Sequence, residues 1–84
     1  MMNTDKRVFD LVIRVADPLH RRALTLDSLL LEEKILDSFG LIQLVAEIDS
    51  EFLIVIKTED LILQNFATIK DIGALVKRYI TDGK

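Results

Sequence analysis

Apolar residues recur at helical spacing in three separate segments of this 84-residue chain. The period is clearest over residues 38–52, where most polar side chains fall opposite an apolar stripe formed by Leu41, Leu44, Val45, Ile48 and Phe52. An amphipathic helix of this kind buries its stripe against other helices. The segment therefore predicts a helix over residues 38–52, inside a domain built from several helices.

Both ends of the chain carry the same period. Residues 4–15 predict a first helix, and Asp17-Pro18 ends it because proline has no backbone N–H and restricts the residue before it. Residues 69–81 predict a last helix, with Thr68 as the cap of its first turn. The two terminal helices and the central one account for most of the apolar side chains.

The connecting segments are less regular. Thr58-Glu59-Asp60 is a helix start signal and favours a short third helix over residues 60–65. Residues 52–56 (FLIVI) have strand propensity, but nothing else in the sequence offers a partner strand, so we expect an extended connection that fills the core. Residues 18–36 form a long first loop pinned by leucines. We expect an all-α fold, a four-helix bundle with a long first loop and a short third helix, in one domain spanning 1–84.

Composition excludes several kinds of chemistry. The chain has no cysteine, which rules out disulfides, thiolate metal sites and cysteine nucleophiles. Its net charge is −3 and the acidic excess lies in residues 37–84, so no basic patch is available for nucleic acid. A basic partner surface is the more natural complement. The only histidine, His20, has no ligand pattern around it, and we interpret it as a loop residue.

No apolar run reaches the length of a membrane span, and residues 1–10 lack the hydrophobic core of a secretory signal. We therefore expect a cytoplasmic protein without a membrane span, and a monomer. We also expect no metal site and no catalytic centre, because no group of titratable residues has the spacing that either would need.

The segment around Ser38 admits two interpretations. Asp and Ser are both favoured at the N-terminus of a helix, so Ser38 could serve only as a cap. A helix N-terminus also favours a phosphodiester, through its unpaired N–H groups and its dipole. Gly40 removes bulk beside the serine, and the apolar side chains of Phe39 and Ile42 flank it in a way that suits docking by another protein.

At these residues the chain resembles the acyl carrier protein family. The family's signature at the start of its second helix is Asp-Ser-Leu, which here reads Asp37-Ser38-Phe39. Residues 41–52 and 66–72 are similar to the family's second helix and to the entry of its last helix. Residues 30–40 (LLEEKILDSFG) resemble a subset of stand-alone carriers that includes the D-alanyl carrier proteins.

The resemblance implies a non-catalytic carrier. A phosphopantetheinyl transferase would attach 4′-phosphopantetheine from coenzyme A to Ser38, with Asp37 helping to position the site. The arm would hold an acyl or aminoacyl group as a thioester for acyl- or aminoacyl-activating and transfer enzymes, in lipid or secondary-metabolite biosynthesis. The partner face would combine an apolar part with an acidic part, namely Phe39, Ile42 and Ala46 with Glu47, Asp49 and Glu51.

A slot lined by Leu44, Val45, Ile56 and Ile62 could shelter an acyl chain, although these apolar residues could equally form part of an ordinary core. Lys34 stands where the family usually has Gly, and non-acidic residues replace acids at Gly40, Gln43 and Ser50, so the second helix is less acidic than in fatty-acid carriers.

The alternative to a carrier is an unmodified helical protein-interaction module in which Ser38 is only a helix cap.

Overall fold

The computed structural model describes residues 4–16 and 24–82. These residues form three α-helices, α1 (Thr4–Val15), α2 (Ser38–Phe52) and α3 (Ile69–Asp82), and two short 3-10 helices, Thr58–Asp60 and Leu63–Phe66. They contain no strand, so the all-α class is confirmed, but the count of four α-helices is not found among them. The predictions for Asp17, Pro18 and His20 lie outside the described residues.

The three helices share one apolar core. Its fully buried side chains come from every α-helix, from the long loop and from the second 3-10 helix, and they include Val8, Leu11, Val12, Leu30, Leu44, Ile48, Phe66, Ile69, Ile72, Leu75 and Val76. Each such side chain stabilises the fold by about 1.5–3 kcal/mol relative to an exposed position. Two ion pairs, Arg7 with Glu51 and Arg14 with Glu47, show that α1 and α2 run antiparallel.

Local capping sets the ends of the helices. The backbone N–H of Asp71 donates to Thr68 Oγ1 at 3.1 Å, which confirms Thr68 as the cap of α3. At the end of α2, Leu53 adopts a left-handed conformation with φ of 55°, and its backbone N–H donates to the Asp49 carbonyl. The chain leaves α2 in a new direction at this residue.

The connection after α2 is extended, as the sequence predicts. Ile54 and Ile56 are buried in the core, whereas Leu53 and Val55 point to solvent. This alternation has the period of an extended chain, in which successive side chains point to opposite sides. The apolar run therefore anchors the connection to the core through every second side chain, without forming a strand.

The prediction of an α-helix over residues 60–65 is wrong. Two 3-10 helices occupy this region, and Leu61 between them leaves the helical conformation with ψ of 64°. The Asn65 side-chain amide donates to the Asp60 carbonyl at 2.8 Å. An α-helix would need that carbonyl for its own ladder, so the side chain competes with the regular structure.

Tyr79 of α3 holds this irregular segment in place. Its hydroxyl donates to Asp60 Oδ2 at 2.6 Å and accepts from the Lys57 backbone N–H at 2.8 Å. Burial raises the pKa of the Tyr79 phenol above its ordinary value of 10.0, and the hydrogen bond to the Asp60 carboxylate raises it further. The neutral phenol is therefore the form that the fold favours.

We expect Tyr79→Phe to lower the free energy of unfolding by about 1–2 kcal/mol at neutral pH, because it leaves both partners of the hydroxyl unpaired. Since the pKa of Tyr79 is higher in the folded state, this stabilisation is fully present below pH 10 and is lost as the pH rises above it. Urea unfolding of the two proteins at a series of pH values measures the difference. A difference that stays constant beyond pH 10 would contradict the role of the phenol.

The long loop is attached to the start of α3 at two points. The Leu30 N–H donates to the Ala67 carbonyl at 2.9 Å, and the Lys70 N–H donates to the Leu26 carbonyl at 3.1 Å. The Leu30 side chain is fully buried in the core. The described part of the loop is thus fixed against the body of the domain, which positions the residues that lead into α2.

Lys34, near the end of this loop, has a left-handed backbone with φ of 60°. A residue with a Cβ pays roughly 1–2 kcal/mol in this conformation, whereas glycine adopts it readily. We expect Lys34→Gly to raise the free energy of unfolding by about 0.5–1 kcal/mol. This is the strain that glycine relieves minus the entropy cost of its greater freedom in the unfolded chain. The control, Lys34→Ala, keeps the strain and should change thermal stability little.

Candidate functional site

Ser38 is the first residue of α2 and its side chain is exposed. Its hydroxyl makes no hydrogen bond within residues 4–16 and 24–82. Ser38 therefore lies where the long loop meets α2. Its hydroxyl oxygen has no structural partner in that part of the chain.

The cap of α2 is Asp37. Its Oδ1 accepts a hydrogen bond from the Gly40 N–H at 2.7 Å, and its backbone carbonyl accepts from the Leu41 N–H at 2.9 Å. The interpretation of Ser38 as the cap is therefore wrong, because the carboxylate one residue earlier takes the donor that a serine hydroxyl would have taken. Ser38 is left available for other chemistry.

Gly40 allows this cap to close. A Cβ at this position would lie 3.2 Å from Asp37 Oδ1, which is a tight contact, and 3.5 Å from Leu36 Cδ2, which is an ordinary one. The sequence indicated that Gly40 reduces bulk near the serine. In the structure the space it leaves is filled by the carboxylate of Asp37 and by the side chain of Leu36.

Two backbone donors stay open at the N-terminus of α2. The N–H groups of Ser38 and Phe39 meet no acceptor among the described residues. Such groups, with the positive end of the helix dipole, favour an anion beside the first turn. The environment therefore suits an anionic group, such as a phosphodiester, on the Ser38 oxygen.

The apolar residues predicted for the partner face do lie together on the surface. Phe39 is 75% exposed, Ile42 is 69% exposed, and Ala46 is exposed one turn further along. Ser38 and Ile42 are four residues apart and share one side of the helix. The exposed side of α2 is thus an apolar strip, which starts next to the serine.

The acids predicted for the same face each contact another part of the chain. Glu51 pairs with Arg7 at 2.9 Å, and Glu47 pairs with Arg14 at 3.6 Å. Asp49 Oδ1 accepts from the Ile56 N–H at 3.2 Å. All three carboxylates therefore have partners within the chain.

An apolar groove runs between α2 and the segment of the 3-10 helices. It encloses about 170 Å³ and is lined by Leu41, Ile42, Val45, Leu61, Ile62, Leu63 and Phe66. The slot expected from the sequence is half right: Val45 and Ile62 line the groove, but Leu44 and Ile56 are buried in the core. The groove opens beside Ile42 and thus adjoins the apolar strip.

Several of the contacts described above were not predicted from the sequence. Arg7 and Arg14 lie seven residues apart on one face of α1, and Glu47 and Glu51 lie four residues apart on one face of α2. These two spacings differ, so the sequence does not indicate the ion pairs, which depend on how α1 packs against α2. The contact between Tyr79 and Asp60 likewise has no sequence signal, because it depends on how the irregular segment folds.

Comparison with known proteins adds no relative: no family model, no curated protein and no solved structure matches the chain. None of the helices in the described part of the chain has both the length and the apolar character needed to cross a bilayer. In the same residues, no group of three or more acidic or histidine side chains could hold a metal ion. The function therefore has to be inferred from the site itself.

Proposed function

We propose that this chain is a carrier protein that bears 4′-phosphopantetheine on Ser38. One observation carries the proposal: an exposed serine hydroxyl without a structural role follows the Asp cap of a helix and borders an apolar surface strip. When attached, the arm supplies a thiol that holds an acyl or aminoacyl group as a thioester. The helical domain presents that group to partner enzymes at a raised effective concentration.

The attachment reaction uses the side chain that the structure leaves open. The Ser38 oxygen forms an ester bond with the pantetheine-side phosphorus of coenzyme A, and the phosphoanhydride bond of coenzyme A breaks. Adenosine 3′,5′-bisphosphate leaves with the bonding electron pair, and the hydroxyl proton passes to a base of the transferase. Asp37 holds the first turn of α2 closed, so the backbone that carries Ser38 is held in place.

The finer architecture belongs to the same proposal. In a carrier of this family the segment after α2 would be a short third helix, and the two 3-10 helices stand in that place. We propose that the chain works as a monomeric, cytoplasmic carrier without catalytic activity of its own. Its partners are a phosphopantetheinyl transferase and the enzymes that activate and transfer the acyl or aminoacyl group.

Intact-mass measurement tests the proposal directly. The purified protein is incubated with coenzyme A and a broad-specificity phosphopantetheinyl transferase, and the expected result is a mass increase of one phosphopantetheine arm per chain. Peptide mapping then locates the arm, which we expect on Ser38. An unchanged mass would refute the carrier function, and an arm on another residue would refute the assignment of the site.

The second candidate function is an unmodified protein-interaction module. The exposed side chains of Phe39 and Ile42 favour it, because a contiguous apolar surface is typical of a binding site. The capping role that this alternative gave to Ser38 belongs to Asp37. A module of this kind would bind its partner without coenzyme A and would keep its affinity when Ser38 is replaced.

A further inference from the structure

The exposed surface of α2 carries little net charge. Seven of its residues are exposed: Ser38, Phe39, Ile42, Gln43, Ala46, Ser50 and Glu51. Two carboxylates reach this surface, Glu51 with a side chain 39% exposed and Glu47 with a side chain 41% exposed, and each pairs with an arginine of α1. An enzyme that approaches Ser38 along this helix therefore meets mostly apolar groups and paired carboxylates beyond Asp37.

Two of the three carboxylates of α2 form ion pairs with α1. Arg7 holds Glu51 with two contacts, to Oε2 at 2.9 Å and to the backbone carbonyl at 3.2 Å, and its guanidinium lies 4.3 Å from the centre of the Phe52 ring. Stacking on an aromatic face fixes the planar guanidinium. Arg14 forms a longer and more exposed ion pair with Glu47, at 3.6 Å. The two paired glutamates therefore add little net charge to the surface that a partner meets.

The apolar strip continues beyond α2. Ile42 lines the groove together with Leu61 and Leu63, and both leucines are partly exposed. The apolar surface thus extends from Phe39, beside the serine, to the irregular segment that Tyr79 fastens to α3.

We propose that the phosphopantetheinyl transferase docks on this chain through an apolar, uncharged surface and not through a basic patch. The inference depends on the carrier function proposed above and specifies the chemistry of its first partner. Charge complementarity supports this partner surface, because a basic patch would face apolar side chains and carboxylates already paired with arginine, and would lose its hydration for little electrostatic gain.

A matched pair of substitutions at Ala46 tests the inference. Ala46→Glu and Ala46→Gln add side chains of the same length to the exposed strip, both residues are good helix formers, and only one carries a charge. If the partner surface is apolar, Ala46→Glu raises the KM of loading about tenfold relative to Ala46→Gln, because its charge is desolvated without a partner. A basic partner would give the opposite sign, a lower KM for Ala46→Glu.

The KM is measured by intact mass with coenzyme A and a broad-specificity transferase, with circular dichroism to confirm that both variants fold. The KM of the wild-type chain should change less than about threefold between about 0.05 M and 0.5 M salt, because no exposed charge pair drives docking. Steep salt dependence, or tighter binding of Ala46→Glu, would overturn the inference while leaving the carrier function intact. Absence of loading in the wild-type chain would overturn both.

Discussion

Ser38→Ala is expected to abolish attachment of the phosphopantetheine arm and to change the free energy of unfolding by less than about 0.5 kcal/mol. The two results are separable because the serine oxygen is exposed and makes no hydrogen bond within the described residues. Alanine is also a better helix former than serine at the first position of α2. Intact mass measures the first effect and urea unfolding the second.

Substitutions at Asp37 supply the matched comparison. Asp37→Ala removes the hydrogen bond to the Gly40 N–H and should cost about 1 kcal/mol of stability, the usual effect of losing a helix cap. Asp37→Asn keeps a capping oxygen but loses the charge, so any change in loading rate reports on recognition by the transferase. If Ser38→Ala destabilised the fold more than Asp37→Ala, our assignment of the cap to Asp37 would be wrong.

Gly73→Ala is expected to lower the free energy of unfolding by about 2 kcal/mol, against the ordinary preference of helices for alanine. Gly73 lies inside α3, where a Cβ would fall on Asp5 Oδ1 of α1 and would stand 3.1 Å from Asp5 Cγ. The two helices therefore approach closely at this point. To relieve the contact, the short Asp5 side chain has to turn away from Lys77, whose Nζ lies 3.6 Å from the same oxygen, while Asp5 Cα remains 3.7 Å from the new methyl group.

Two controls isolate this contact. Ala74→Gly, at the neighbouring exposed position, should cost about 1 kcal/mol and thus show the normal order of alanine over glycine in α3. The double variant Asp5→Ala with Gly73→Ala should recover at least about 1 kcal/mol of the loss, as residues in contact do in a double-mutant cycle. Additive effects of the two substitutions would exclude the proposed collision.

The sequence predicted the parts of the fold that depend on neighbouring residues. α1 and α2 occupy the ranges that their apolar periods indicate, and Thr68 caps α3 through its own side chain. The segment between residues 57 and 66 could not be predicted in this way. Its conformation depends on Tyr79, which is 22 residues away from Lys57 in the sequence, and such a contact leaves no local pattern.

In the candidate site, too, the local features could be predicted from the sequence and the long-range contacts could not. The position of Ser38 at the start of a helix follows from local signals, and so does the exposure of Phe39 and Ile42 on one side of it. The assignment of the cap required the structure, because Asp and Ser are nearly equal in capping preference. The ion-pair partners of Glu47 and Glu51 could not be predicted from the sequence either, since only the antiparallel packing of α1 on α2 brings Arg14 and Arg7 to them.

The ion pairs between α1 and α2 have a consequence for protein engineering. The electrostatic character of the helix that follows Ser38 is set by residues of a different helix, Arg7 and Arg14. The charge of the α2 surface can therefore be changed from α1 without any substitution in α2. Replacing both arginines with glutamine would leave Glu47 and Glu51 without their ion-pair partners and make this surface acidic, which for the proposed carrier is a route to protein–enzyme pairs that do not cross-react.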